Sequence, residues 1–383
     1  MRLYLLIMAI AAAATYLATP LARLIAQRTG AVTPVRERDV HAVPTPRMGG
    51  LAMFAGLAVA FVMASRMPFL EDVFAGTVPW AILGCGALVC LLGAADDIWD
   101  LDWITKLVGQ VLIAGLMAWQ GVQLVQFPIF GLVIGSPRLS LLVTVLVVVI
   151  AVNAVNWVDG LDGLAAGVVA IGGIAFFVYT YLLTVNNNPT DFSNLATVLM
   201  ASVVGVCLGF LPHNFHPARI FMGDSGAMLL GLTVAAAGIM VTGQINPAVL
   251  ETEQALPAYV PIVLPVAVLL LPLIDVTVTA GRRLLSGKSP FHADRTHLHH
   301  KLLDHGHSHR RAVLIMYVWT AVVAFSAAAL IVFPVWVVLA CFVAGALLAT
   351  IITVARLPFA ALRPGRDRAT QDADEPVAHP PGP

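Results

Sequence analysis

Residues 139–157 read LSLLVTVLVVVIAVNAVNW, nineteen positions without an Asp, Glu, Lys or Arg. A helix rising ~1.5 Å per residue crosses a hydrocarbon layer of about 30 Å with roughly 20 apolar residues, so the stretch is predicted to span a membrane. Ten more runs fit the same template, at approximately 3–25, 49–67, 78–95, 104–122, 163–184, 195–212, 226–243, 258–281, 312–332 and 334–355. They are apolar all round, as in a helix that faces lipid or lies inside a bundle. Composition agrees: 59% of the 383 residues are hydrophobic and 11% charged, whereas soluble chains are about 25% charged. The expected fold class is all-α, a polytopic integral membrane helical bundle of about 11 transmembrane helices filling residues 1–357. Residues 358–383 are rich in Pro, Arg and Asp and are expected to form a disordered cytosolic tail. Arg2 ahead of an apolar run has the shape of a cleaved leader, but no soluble domain follows, so the run is expected to remain as the first span.

Lys plus Arg and Asp plus Glu both number 21, for zero net charge. That balance argues against a nucleic-acid partner, which calls for a basic surface. Placement says more than the sum, because 18 of the 21 basic residues fall at span ends and loops on one side. Only Arg2, Arg66 and Arg138 lie opposite, with Glu71, Asp72, Asp191, Glu251 and Glu253. Cytosolic loops carry the Lys/Arg excess, which puts the N-terminus outside and the C-terminus in the cytosol, consistent with an odd number of spans. The expected location is the plasma (inner) membrane, multi-pass. Cys85, Cys90, Cys207 and Cys341 sit in apolar runs with no pair two residues apart, so neither a disulfide framework nor a zinc ribbon is expected.

With sides assigned, the dense polar motifs fall on the cytosolic face. Asp96 and Asp97 close the third span; adjacent carboxylates repel unless a cation or hydrogen bonds compensate, and oxygen ligands of this kind suit Mg²⁺ or Mn²⁺. The following Asp100 and Asp102 read as a solvated acidic loop. Asn153, Asn156, Asp159 and Asp162 recur every three residues, so they share one face for as long as the segment stays helical. Gly160 and Gly163 then loosen the backbone for close approach to a ligand. An interhelix turn with Asx caps would explain a minority of the four.

Gly223-Asp224-Ser225-Gly226 opens the eighth span, where Asp224 or Ser225 could be a plain N-cap or help a helix N-terminus hold phosphate. An intramembrane aspartyl protease would need Gly at position 221, which is Phe221. The loop after the ninth span holds His292, His297, His299, His300, His305, His307 and His309. His297 and His300 beside Arg295 and Lys301 read as a phosphate clamp, and His305, His307 and His309 as solvated surface. Thr45 and Arg47, in a loop stiffened by Pro44 and Pro46, are candidates for phosphate contact; a topogenic arginine in a turn is the plainer reading. Asp275, embedded near the cytosolic end of the ninth span, is a functional candidate because isolated charges are costly in a bilayer.

No Walker A loop, dinucleotide fingerprint or Ser/His/Asp nucleophile signature is present. Taken in order, Asp96-Asp97, Asn153 to Gly163, Gly223 to Gly226 and Arg295 to His300 resemble the polyprenyl-phosphate N-acetylhexosamine-1-phosphate transferase family, of glycosyltransferase 4 and WecA/TagO type. More distantly they resemble the phospho-MurNAc-pentapeptide transferases. Those enzymes are expected to carry three consecutive histidines, from which His297-Leu298-His299-His300 departs toward the N-acetylglucosamine-using branch.

The resemblance implies transfer of a sugar-1-phosphate from UDP-GlcNAc to a polyprenyl phosphate, undecaprenyl or decaprenyl, on the cytosolic face of the lipid bilayer, with release of UMP and Mg²⁺ or Mn²⁺ as cofactor. It implies catalytic Asp96, Asp97 and Asp224, the last two as metal ligands, with Asp96 the family's proposed base. It places Asn153, Asn156, Asp159 and Asp162 in the nucleotide region and Arg295, His297, His299 and His300 in the sugar-phosphate region. Thr45, Arg47 and Lys106 remain as candidates for the acceptor phosphate, and a homodimer is compatible with this reading. A phosphate monoester has its second pKa near 6, so the acceptor is mostly dianionic at cytosolic pH and gains little from a base; Asp96 is expected to act at least partly by holding metal or acceptor. The rival reading is a divalent-cation transporter, whose binding residues would lie near the bilayer midplane on broken helices.

Overall fold

In the computed structural model the described residues are 1–33, 44–124, 136–186, 192–242 and 308–354. They form eleven α-helices: α1 (Arg2–Thr29), α2 (Gly49–Ala64), α3 (Glu71–Phe74), α4 (Val78–Trp99), α5 (Trp103–Trp119), α6 (Pro137–Val158), α7 (Leu164–Asn186), α8 (Phe192–Asn214), α9 (Gly223–Thr242), α10 (His309–Ala329) and α11 (Val335–Val354). The bundle is polytopic: among the described residues eight helices are long and apolar enough to cross a membrane. Ten of the eleven expected runs fall on these helices, and 258–281 lies outside the described residues.

Two runs depart from a simple span. The 49–67 run is helical only to Ala64, and the pair Gly49–Ala64 and Pro68–Phe74 is bent by 95°. Pro68 at the start of a short 3₁₀ turn cannot continue the α2 ladder. The helix in 104–122, α5, has 17 residues, the lower edge of what crosses a bilayer. Its start is fixed by Asp102, whose carboxylate accepts from the Thr105 N–H at 3.0 Å and its hydroxyl at 2.5 Å. Asp100 and Asp102 are exposed, as the sequence suggested.

Helix α9 is the axis. Its residues from Ser225 to Thr242 are all buried, and α2, α4, α6 and α8 pack around it. Small residues dominate it, which lets neighbouring backbones approach where lipid offers no hydrophobic contrast. Helices α1 and α8 pack together, as do α7 and α8, and α10 and α11 lie to one side. Leu5, Leu17, Leu142, Leu146, Leu347 and Ile351 are exposed, the lipid-facing surface of such a bundle. Cys85, Cys90 and Cys207 are core residues, whereas Cys341 on α11 is exposed rather than buried. A two-stranded antiparallel ribbon, β1 (Val32–Thr33) and β2 (Thr45–Pro46), pairs Val32 with Pro46 and Thr33 with Thr45 beside the start of α2. The ribbon is tied to the segment before α9: Phe221 N–H donates to Pro46 C=O at 2.8 Å, and Gly49 and Gly50 N–H donate to Phe221 and Met222 C=O at 3.0 and 3.1 Å.

Candidate functional site

The ends of α4 and α6 and the starts of α5 and α9 meet at one end of the bundle, and the polar motifs meet there with them. Asp97 is nearly buried, and its two oxygens accept the Asp224 N–H at 3.0 Å and the Ser225 N–H at 3.3 Å. The first N–H groups of a helix have no intrahelical acceptor, so a carboxylate from α4 caps α9 across the bundle. Neither Asp224 nor Ser225 has to be its own N-cap, and the Asp224 side chain is left to face Lys106 and Asn156. Two glycines permit this. Gly223 has φ +70°, a left-handed conformation, and a Cβ there would collide with the Asp97 carboxylate. A Cβ at Gly93, one turn before Asp97, would strike the Asp224–Ser225 peptide.

The freed Asp224 Oδ2 accepts from Lys106 Nζ at 3.4 Å and from Asn156 Nδ2 at 3.0 Å. Lys106 also donates to Asp96 Oδ2 at 3.1 Å, so one ammonium bridges carboxylates from α4 and α9. The other oxygen of Asp96, Oδ1, is buried with no hydrogen-bond partner among the described residues. Asp159, in the turn after α6, is half-buried. Desolvation first, then the Asp224, Asp97 and Asp162 carboxylates, push its carboxyl up to about 7, while Arg47 opposes them. Four carboxylates thus face two cations, and every candidate ligand is a hard oxygen. An orphaned buried carboxylate oxygen in that setting fits Mg²⁺ or Mn²⁺.

The motif spaced by threes is divided rather than aligned. Helix α6 ends at Val158, so the shared face stops there. Asn156 reaches Asp224, but Asn153, one turn deeper, donates to Gln110 at 2.6 Å and to the Val149 carbonyl at 2.8 Å, joining α6 to α5. Asp162 turns away from Asp224: its Oδ2 accepts from His216 Nδ1 at 2.8 Å and from the Ala218 N–H at 3.1 Å. Thr45 is buried in β2, and Arg47 donates through Nε to Thr33 Oγ1 at 2.6 Å. Arg295, His297, His299, His300 and Asp275 lie outside the described residues, as do His305 and His307.

His309 is a correction. Expected at the solvated surface among Ser308, Arg310 and Arg311, it is buried, and its Nε2 accepts the Asp162 N–H at 3.1 Å. Burial follows from its position at the start of α10, which packs on α7. His216 and Gln110 were not singled out by sequence; a lone His in a Pro-containing connector and a lone Gln in an apolar helix carry no periodic signal.

Residues 79–242 match the model of glycosyl transferase family 4. A decaprenyl-phosphate N-acetylglucosaminephosphotransferase of Mycolicibacterium smegmatis is 41% identical over 94% of this chain and 89% of its own length. An undecaprenyl-phosphate alpha-N-acetylglucosaminyl 1-phosphate transferase of Salmonella typhimurium is 28% identical over 79% of this chain and 77% of its own. A phospho-N-acetylmuramoyl-pentapeptide-transferase of Desulforudis audaxviator is 29% identical over 54% of this chain and 66% of its own.

Proposed function

The chain belongs to glycosyl transferase family 4, and from that premise we propose that it is a phosphoglycosyltransferase moving N-acetylglucosamine-1-phosphate from UDP-N-acetylglucosamine to a polyprenyl phosphate. The products are UMP and a polyprenyl-pyrophosphoryl N-acetylglucosamine. An oxygen of the lipid phosphate attacks the phosphorus that carries the sugar, and the bond from that phosphorus to the UMP oxygen breaks. Relatives named for decaprenyl and undecaprenyl phosphates support either isoprenoid as acceptor.

The observation that carries the reading is the convergence of Asp96, Asp97, Asp159 and Asp224 with Lys106, Arg47 and Asn156 at one end of the helices. Phosphoryl transfer depends chiefly on positioning and charge neutralisation, and this set can hold a cation and phosphates together. Asp224 and Asp96 would hold Mg²⁺ or Mn²⁺, with Asp97 anchoring the N-terminus of α9 that carries Asp224. Bound there, the ion would neutralise charge on the donor pyrophosphate. Lys106 balances Asp96 and Asp224 and reaches toward the acceptor phosphate, and Arg47 faces Asp159 at the rim. This end of the bundle is the cytosolic face, with the N-terminus outside, because the basic residues gather on it. About eleven spans are consistent with that orientation. The carboxylates sit at helix ends rather than at the bilayer centre, so the transporter reading gains no support.

The test is purified protein in detergent with radiolabelled UDP-N-acetylglucosamine, polyprenyl phosphate and Mg²⁺. A labelled lipid and UMP are expected, and their absence from folded, metal-supplied protein overturns the assignment. UDP-N-acetylgalactosamine run in parallel settles the sugar.

A further inference from the structure

Three segments far apart in sequence meet beside the metal-suited site. The turn after α6 supplies Asp162 and Gly163, the connector from α8 to α9 supplies Asn214, His216 and Ala218, and α10 supplies His309 and Tyr317. Asp162 is nearly completely buried, and both its backbone and its side chain are used internally. Its carboxylate accepts from His216 Nδ1 and the Ala218 N–H, and its N–H donates to His309 Nε2. The next residue is held as firmly: Gly163 N–H donates to Asn214 Oδ1 at 3.0 Å, and Tyr317 Oη donates to the Gly163 carbonyl at 2.5 Å. Asn214 in turn donates to the Ile220 carbonyl at 3.0 Å. The two imidazoles stack with centroids 4.5 Å apart and planes 19° from parallel, and Arg310 donates to the His216 carbonyl at 3.0 Å.

We infer that Asp162, His216 and His309 are positioning residues that staple the Asp159 turn to the connector leading into Asp224, rather than contacts for the nucleotide. This rests on the proposed transferase reading. Asp159 stands three residues before Asp162, and Asp224 four residues after Ile220, so the staple sets the spacing between two carboxylates of the site. A misplacement near 1 Å costs on the order of 10²-fold in rate, which is the scale on which such a support acts. The bonds also fix the protonation pattern. His309 Nε2 is an acceptor, so its proton is on Nδ1, while His216 donates from Nδ1 to a carboxylate.

Ligand atoms of Asp162, His216 and His309 lie within 4.8 Å of one another, close enough to suggest a transition-metal site. Hydrogen bonding is favoured over metal because Asp162 Oδ2, His216 Nδ1 and His309 Nε2 already bond to protein partners, and an ion taking those atoms would leave the buried Asp162 N–H without its acceptor.

Two measurements on the full-length protein in detergent test the staple. In ¹⁵N spectra of the histidine side chains, His309 is expected as the neutral Nδ1–H tautomer whether or not the enzyme turns over. An Nε2–H tautomer, or stoichiometric Co²⁺ binding with ligand-field bands lost in H216A, overturns it. In kinetics, H309A is expected to lower kcat 10- to 100-fold, and H309Q, whose amide oxygen replaces Nε2 as acceptor, to restore it to within about threefold. The cost of H309A should shrink at least fivefold in a D159N background, because coupled residues are not additive. A full, independent cost there, or a D162N variant that only raises KM for UDP-N-acetylglucosamine, would return Asp162 to the nucleotide. If wild-type protein shows no transfer while the tautomer is as expected, the transferase reading fails and the staple stands.

Discussion

At the scale of single residues, the cap on α9 separates two aspartates that sequence could only pair. Asp97 spends both oxygens on backbone N–H groups, and Asp224 is the carboxylate that faces Lys106 and Asn156. Asp224→Asn keeps the shape but removes the charge that the Lys106 bridge and a bound cation need; kcat should fall by on the order of 10²–10³, with thermal stability little changed, measured by the radiolabelled transfer assay and a melting scan. Gly223→Ala should act differently. A left-handed conformation costs a non-glycine residue about 1–2 kcal/mol, and the new Cβ would also press on Asp97. The expected result is a lower melting temperature together with lost activity, and unchanged melting would count against the cap geometry. Both carboxylates were visible in the sequence as candidates. Their division of labour was not, because a cap supplied by another helix leaves no trace at the helix it caps.

At the scale of elements, the apolar runs were legible because a bilayer imposes a length, and that length is written in nineteen-residue stretches such as 139–157. Helix ends were less so. The shared face expected for Asn153, Asn156, Asp159 and Asp162 holds only as far as the segment is helical; α6 stops at Val158, before both aspartates, and the side chains diverge from there. His309 was misread because its neighbours in sequence are polar, although its neighbours in space are Asp162 and His216. The α4–α9 crossing is where an element-level change should be felt most. Gly93→Leu forces the helices apart at the Asp224–Ser225 peptide; overpacking of this kind costs about 1–3 kcal/mol, and activity should be lost even where the protein still folds in detergent. Helix α5 offers a second check. It is bounded by Trp103 and Trp119, both largely exposed, and tryptophan prefers the membrane–water interface. In vesicles, variants keeping only one of these tryptophans should be quenched more by lipids brominated near the headgroup than by lipids brominated at the chain terminus.

At the scale of the whole molecule, the site is a concentration of negative charge that the protein alone does not fully balance. The raised Asp159 carboxyl, near 7 when folded against about 3.9 in an unfolded chain, gives the sign. The folded state binds this proton more tightly, so the contribution to stability is complete below pH 4 and disappears as pH rises through 7. Without divalent metal the protein should therefore melt at a lower temperature at pH 8 than at pH 5.5. Mg²⁺ should reverse much of that loss, adding about 2.7 kcal/mol at 100 times its Kd, and its effect should be larger at pH 8. A shift of equal size at both pH values would argue that the ion binds away from Asp159 and Asp224.

The cap that Asp97 places on α9 also orders events during synthesis. Its N–H partner lies 127 residues further along the chain, so in a nascent protein Asp96 can meet Lys106 as soon as α5 follows α4, whereas Asp97 has no helix to cap until α9 leaves the ribosome. Until then the chain has a membrane bundle and no assembled centre. Truncations that end before residue 224 should therefore insert as helices yet remain catalytically silent, and the half-built enzyme cannot draw on the cell's sugar-nucleotide or lipid carriers.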